Sequence, residues 1–79
     1  MTVDVDGVAR RLDIADPATS VGFEYKTGYQ TATAENLSEL SRDAILVKRG
    51  WSITWVFEGT ASAPLLKALD DAGIAHSFR

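Results

Sequence analysis

Hydrophobic and polar residues alternate along the first third of the chain, and then the period changes. Residues 2–14, TVDVDGVARRLDI, alternate on either side of Asp6-Gly7, a dipeptide that accepts the positive φ of a two-residue hairpin turn. Two antiparallel strands are predicted there. Asp16-Pro17 interrupts the pattern and predicts the next turn, after which residues 20–28, SVGFEYKTG, resume alternation with Val21, Phe23 and Tyr25 on one face. From Thr33 the spacing becomes helical. Leu37, Leu40, Ala44 and Val47 recur on one side, Thr33 is placed to cap the start, and Gly50 beyond Lys48 and Arg49 supplies the stop. Residues 51–59, WSITWVFEG, alternate again but are largely apolar on both faces, which predicts a central strand covered on each side. Ser62, Pro64, Leu65, Leu66, Leu69 and Gly73 frame a second helix, and residues 74–79, IAHSFR, predict a short edge strand. The order β-β-β-α-β-α-(β) predicts an α/β fold of the α+β kind, a mixed sheet flanked by helices.

Pairing then places the charges. A turn at Pro17-Ala18 sets Leu12 opposite Phe23 and Ile14 opposite Val21, which unites apolar partners. The same register sets Asp13 opposite Gly22, with Glu24 diagonal to it at about 7–8 Å between backbones. Asp13, Glu24 and Lys26 then share one face, and Gly22 leaves the space between the two acids empty. By hairpin parity Asp4 joins that face as an accessory acid or as a solvated edge charge. Two carboxylates beside a lysine suit metal-assisted phosphodiester hydrolysis. The acids offer the oxygen ligands that Mg²⁺ requires, and an ammonium orients the attacking water or stabilises the charge that develops. Alternating charges on an exposed strand face also form ordinary cross-strand pairs, so the triplet alone leaves a structural reading open.

Composition narrows these readings. With 79 residues, 46% hydrophobic content and no cysteine, the chain permits one domain over residues 1–79, without disulfide or zinc-thiolate support. No apolar run reaches membrane-spanning length, and the first residues lack the features of a signal peptide. A net charge of −3 opposes simple coating of nucleic acid, although a bound cation inverts the field locally. Trp51, Trp55 and Phe57 are expected in the core, the single histidine, His76, at the surface, and Lys48 and Arg49 as complements to a helix dipole. KTG at 26–28 has no glycine-rich loop around it and does not support nucleotide-triphosphate binding.

RRLDI, followed after a turn by VGFEYKTG and an amphipathic helix, resembles the core of the PD-(D/E)xK nuclease superfamily, the restriction-endonuclease-like fold. More narrowly, EYKTG, AENLSELSRDAILVKRG and WSITWVFEGTAS are similar to the nuclease toxin domains at the C-termini of bacterial polymorphic toxins. The resemblance implies that Asp13 is the family's strand acid, that Glu24 and Lys26 are its E-x-K, and that Gln30 is an accessory polar residue. It further implies Mg²⁺, replaceable by Mn²⁺, on Asp13 and Glu24, and cleavage of nucleic acid, DNA in preference to RNA. Its partners would be the parent toxin polypeptide and a cognate immunity protein. The domain would be secreted as part of a larger toxin and act in the target-cell cytoplasm. In this sequence Leu12, not proline, precedes Asp13, and the chain starts at a strand where many members start with a helix. That start is expected to leave apolar surface or an unpaired edge, and hence self-association into a homo-oligomer. The alternative is a non-catalytic protein-binding module that retains the nuclease-like fold.

Overall fold

The computed structural model describes residues 2–5, 8–11 and 14–79. Strands β1 (Thr2–Val5) and β2 (Val8–Arg11) form an antiparallel pair with Val5 opposite Val8, the register that a two-residue connection demands. The Asp6-Gly7 turn itself lies outside the described residues. A second sheet holds β3 (Ile14–Asp16), β4 (Val21–Lys26), β5 (Ser52–Phe57) and β6 (Ala75–Phe78) in that order, β3 antiparallel to β4 and the rest parallel. Helix α1 (Ala34–Lys48) connects β4 to β5, and α2 (Ala63–Asp71) connects β5 to β6. The chain is therefore a small α+β domain with a four-stranded mixed sheet and two helices. Among the described residues no helix is long and apolar enough to cross a membrane.

Both helices begin and end where their local chemistry dictates. The Thr33 hydroxyl accepts from the Asn36 amide at 3.1 Å, and the Ser62 hydroxyl from the Leu65 amide at 3.4 Å. Gly50 and Gly73, at φ 94° and 74°, take the left-handed conformation that closes each C-terminus. Successive right-handed crossovers in one direction put both helices on one face of the sheet. There Leu46 of α1, Leu65 and Leu69 of α2, and Ile53, Trp55 and Phe57 of β5 form a closed apolar core with Ile74.

Four expectations are corrected. The stretch read as one strand over residues 8–14 is two strands in different sheets. The connection after Asp16 spans four residues, because the Asp16 carboxylate accepts the Ala18 amide at 3.0 Å and Ser20 adopts φ 57°. That longer turn moves the register by two residues, so Ile14 pairs with Phe23 and Ala15, not Asp13, stands opposite Gly22. The charged face of β4 is also the inner one. Gly22, Glu24 and Lys26 are in parallel register with Ile53, Trp55 and Phe57, and so share the helix-covered face. Val21, Phe23 and Tyr25, expected in the core, are only half-buried on the opposite face. Finally, α1 is rotated by about one residue. Leu37 is 41% exposed, whereas Asn36, Asp43 and Leu46 are buried.

Candidate functional site

A polar layer lies between β4 and α1, built from two stripes of residues. On β4 the period of two sends Glu24 and Lys26 inward from a run of otherwise unremarkable alternation. On α1 the positions 36, 39, 43 and 46 form one stripe, and the first three carry Asn36, Glu39 and Asp43. The Lys26 ammonium donates to both Glu39 oxygens, at 3.1 and 3.2 Å, with the two side chains only 14% and 16% exposed. It also stands 5.2 Å from the Trp55 ring centroid, within cation–π reach. Trp55 buries its ring in the core and donates its indole N–H to Asp43 at 2.9 Å. Glu24, 6% exposed, completes the layer. Fixed partners of this kind allow charged and polar groups in so small a core, since unpaired ones would cost about 1–3 kcal/mol each.

Beyond Lys26 the backbones of β4 and β5 stay together. Glu58 donates to the Lys26 carbonyl, Gln30 to Thr60, and Ser62 to Gln30, at 2.8 to 2.9 Å, ending in a parallel bridge between Gln30 and Ala61. The approach requires glycine: a Cβ on Gly59 would lie 2.6 Å from the Gly28 carbonyl oxygen. This path delivers the Gln30 side chain to the first turn of α1. Its amide donates to the Thr27 carbonyl at 2.7 Å and accepts from the Asn36 amide at 3.1 Å, while Asn36 also donates to the Thr31 carbonyl at 2.8 Å. A cavity of about 360 Å³ opens here, lined by Lys26, Tyr29, Gln30, Glu35 and Asn36 among others. It lies at the carboxyl end of β4, the end of parallel strands where α/β sheets place ligands.

Of the sequence-derived residues, Lys26 and Gln30 line this one cavity, and Glu24 sits one pleat deeper on the same face of β4. Asp13 lies outside the described residues, as does the side chain of Asp4. Asn36, Glu39 and Asp43 were not anticipated, because the leucines one position along the helix gave the stronger pattern. A usable signal did exist: once β5 is central and β4 runs parallel to it in register, Glu24 and Lys26 must face the helices, and α1 must answer them with polar residues. His76, expected at the surface, is three-quarters buried and lies 2.9 Å from Asp70 of α2, tying β6 to that helix.

A metal ion tests the acids separately. Among the described residues no three carboxylate, histidine or cysteine side chains gather as ligands. The described part of the chain contributes Glu24 alone to the expected set. Its hard oxygen donors suit Mg²⁺, which binds through one or two carboxylates and keeps several waters. No family model, curated protein or solved structure matches the chain.

Proposed function

We propose that the chain is a metal-dependent nuclease domain with a restriction-endonuclease-like core, hydrolysing phosphodiester bonds of nucleic acid, DNA in preference to RNA. The observation that carries the reading is that Glu24 and Lys26 are held on the inner face of β4, with Lys26 at the wall of a polar cavity. Charges so placed weaken a small core, and such departures from the local rule concentrate at functional sites. Asp13 and Glu24 would hold Mg²⁺ or Mn²⁺, which when bound supplies charge stabilisation and an activated water. Glu39 fixes the Lys26 ammonium beside the cavity, where it would face the negative charge of a backbone phosphate held outside, at the rim. Delivery as the toxic tip of a larger secreted protein, action in the target-cell cytoplasm and an immunity partner belong to the same proposal. They rest on the resemblance of EYKTG and the segments after it.

Lys26→Ala alone would take from Glu39 the ammonium at 3.1 Å, so the informative variant is Lys26→Met with Glu39→Gln, which keeps the pair neutral. Wild type should cut plasmid or linear DNA only with Mg²⁺ or Mn²⁺, tRNA more slowly, and the folded double variant should lose about a hundredfold or more. Thermal melts add a second readout. Divalent ion at a hundredfold excess over Kd should stabilise wild type by about 2.7 kcal/mol, and Glu24→Gln should flatten that response. Wild-type cleavage by the folded double variant removes the assignment.

One observation favours a second reading, a binding module without catalysis. The polar groups of Lys26, Trp55 and Asn36 all have partners inside the domain, as a purely structural layer would. Absence of divalent-dependent cleavage, with an unchanged melt on adding metal, would make this the better reading.

A further inference from the structure

The cavity beside Lys26 has a charge balance that selects among the parts of a nucleic acid. Lys26 is its cation, and that charge is already met by Glu39 at 3.1 Å. Glu35, on the first turn of α1, adds a carboxylate to the lining. Among the described residues the carboxylates beside the cavity, Glu35 and Glu39, outnumber the Lys26 ammonium, which disfavours a phosphate inside it and favours a neutral group that forms hydrogen bonds. The lining offers such bonds. The Gln30 side-chain oxygen accepts from Asn36 and retains a second lone pair, and Glu35 is a further acceptor. Tyr29 lines the cavity and is 66% exposed, so its aromatic surface is available to a flat partner entering there. The volume, about 360 Å³, is at the small end of the roughly 300–1,000 Å³ typical of ligand sites and suits one ring system, not a length of double helix.

We propose that this cavity takes a single unpaired nucleobase, stacked on Tyr29. The inference rests on the nucleic-acid reading above and adds that the substrate presents one unpaired base, in duplex DNA a base frayed at an end or turned out of the helix. In a duplex both faces of each base are stacked and its edge is paired, so the cavity is reached only by single strands, frayed ends or a base turned out of the helix. The backbone phosphates stay outside, on the Lys26 side of the rim.

The test is anisotropy of a labelled single strand of about eight nucleotides, and of the same sequence as a blunt duplex, in EDTA at about 50 mM salt. Chelation removes hydrolysis from the measurement. Wild type should bind the single strand about tenfold or more tighter than the duplex; Tyr29→Ala should lose about tenfold on the single strand, while Tyr29→Phe, which keeps the ring, stays within about twofold. Equal affinity for both forms, or a Tyr29→Ala protein that binds like wild type, overturns the proposal. Duplex and single strand cut equally by wild type and Tyr29→Ala would remove the base site and leave the nuclease reading intact. Tyr29-dependent binding without metal-dependent cleavage would do the reverse, removing the nuclease reading and keeping the site.

Discussion

Helices α1 and α2 are built alike and face inward differently. Each starts at a hydroxyl cap, ends before a left-handed glycine, crosses between parallel strands and covers the same side of the sheet. Yet α2 turns Leu65 and Leu69 into the core, both fully buried, whereas α1 turns in Asn36, Glu39 and Asp43, with Leu46 its one fully buried leucine. Trp55 marks the boundary, its ring among leucines and its N–H on Asp43. One half of this core is hydrocarbon, held by burial. The other is polar, held by direction-specific bonds, and it is the half that borders the cavity. Apolar burial and polar bonding are thus divided between two helices of one scaffold.

The sharpest way to break that comparison is to delete one leucine from each helix. Leu69→Ala removes fully buried methyl groups and should cost about 2–5 kcal/mol, a large share of the roughly 5–15 kcal/mol available to a domain. Leu37→Ala, on a helix with the more regular leucine pattern, removes a side chain already 41% exposed and should stay within about 0.5 kcal/mol. Urea unfolding midpoints measure both. Similar losses would mean that α1 packs through its leucines after all.

The polar half responds to a different substitution. Glu39→Leu leaves the largely buried Lys26 ammonium without its partner and should cost about 1–3 kcal/mol. Adding Lys26→Met should restore wild-type stability or exceed it, because well-packed apolar residues often match a buried ion pair. A double-mutant cycle gives the coupling, expected at about 0.5–3 kcal/mol. Additive effects would show that the pair does not act as a unit.

This contrast also explains what was legible beforehand. Helix ends and the central place of β5 follow from local chemistry: hydroxyl caps, terminal glycines and an apolar run flanked by turns. The inner faces of β4 and α1 do not, because alternation identifies two faces of a strand without saying which is covered. Val21, Phe23 and Tyr25 look like the core face of β4, and only the parallel register with Ile53, Trp55 and Phe57 reverses the assignment. The turn after Asp16 is longer than the two residues its sequence suggests, because a side-chain bond to Ala18 and a left-handed Ser20 extend it. Glu24, Lys26 and Gln30 stand out in the sequence as polar residues in or just after a strand-like run, but their internal partners depend on the rotation of α1, which leucine spacing misstates.

The smallest expected effects separate the helices at their caps. The Thr33 hydroxyl lies 3.1 Å from the Asn36 amide, near the ideal length, while the Ser62 hydroxyl is 3.4 Å from the Leu65 amide, at the long end of a useful bond. Thr33→Ala should therefore cost about 1 kcal/mol and Ser62→Ala nearer about 0.5 kcal/mol. The dipoles differ as well. Glu35 already supplies an acid to the first turn of α1, and the first turn of α2 has none. Ser62→Asp keeps an acceptor at the cap and adds the missing negative charge, which should stabilise the domain by about 0.3–1 kcal/mol at low ionic strength and less as salt is raised. Thr33→Asp, placed beside Glu35, should gain less or nothing, since the second carboxylate is repelled by the first. Thermal melts of the four variants at low and high salt read both differences; a salt-independent gain at Ser62, or equal gains at both caps, would show that bond geometry and not the helix dipole governs these termini.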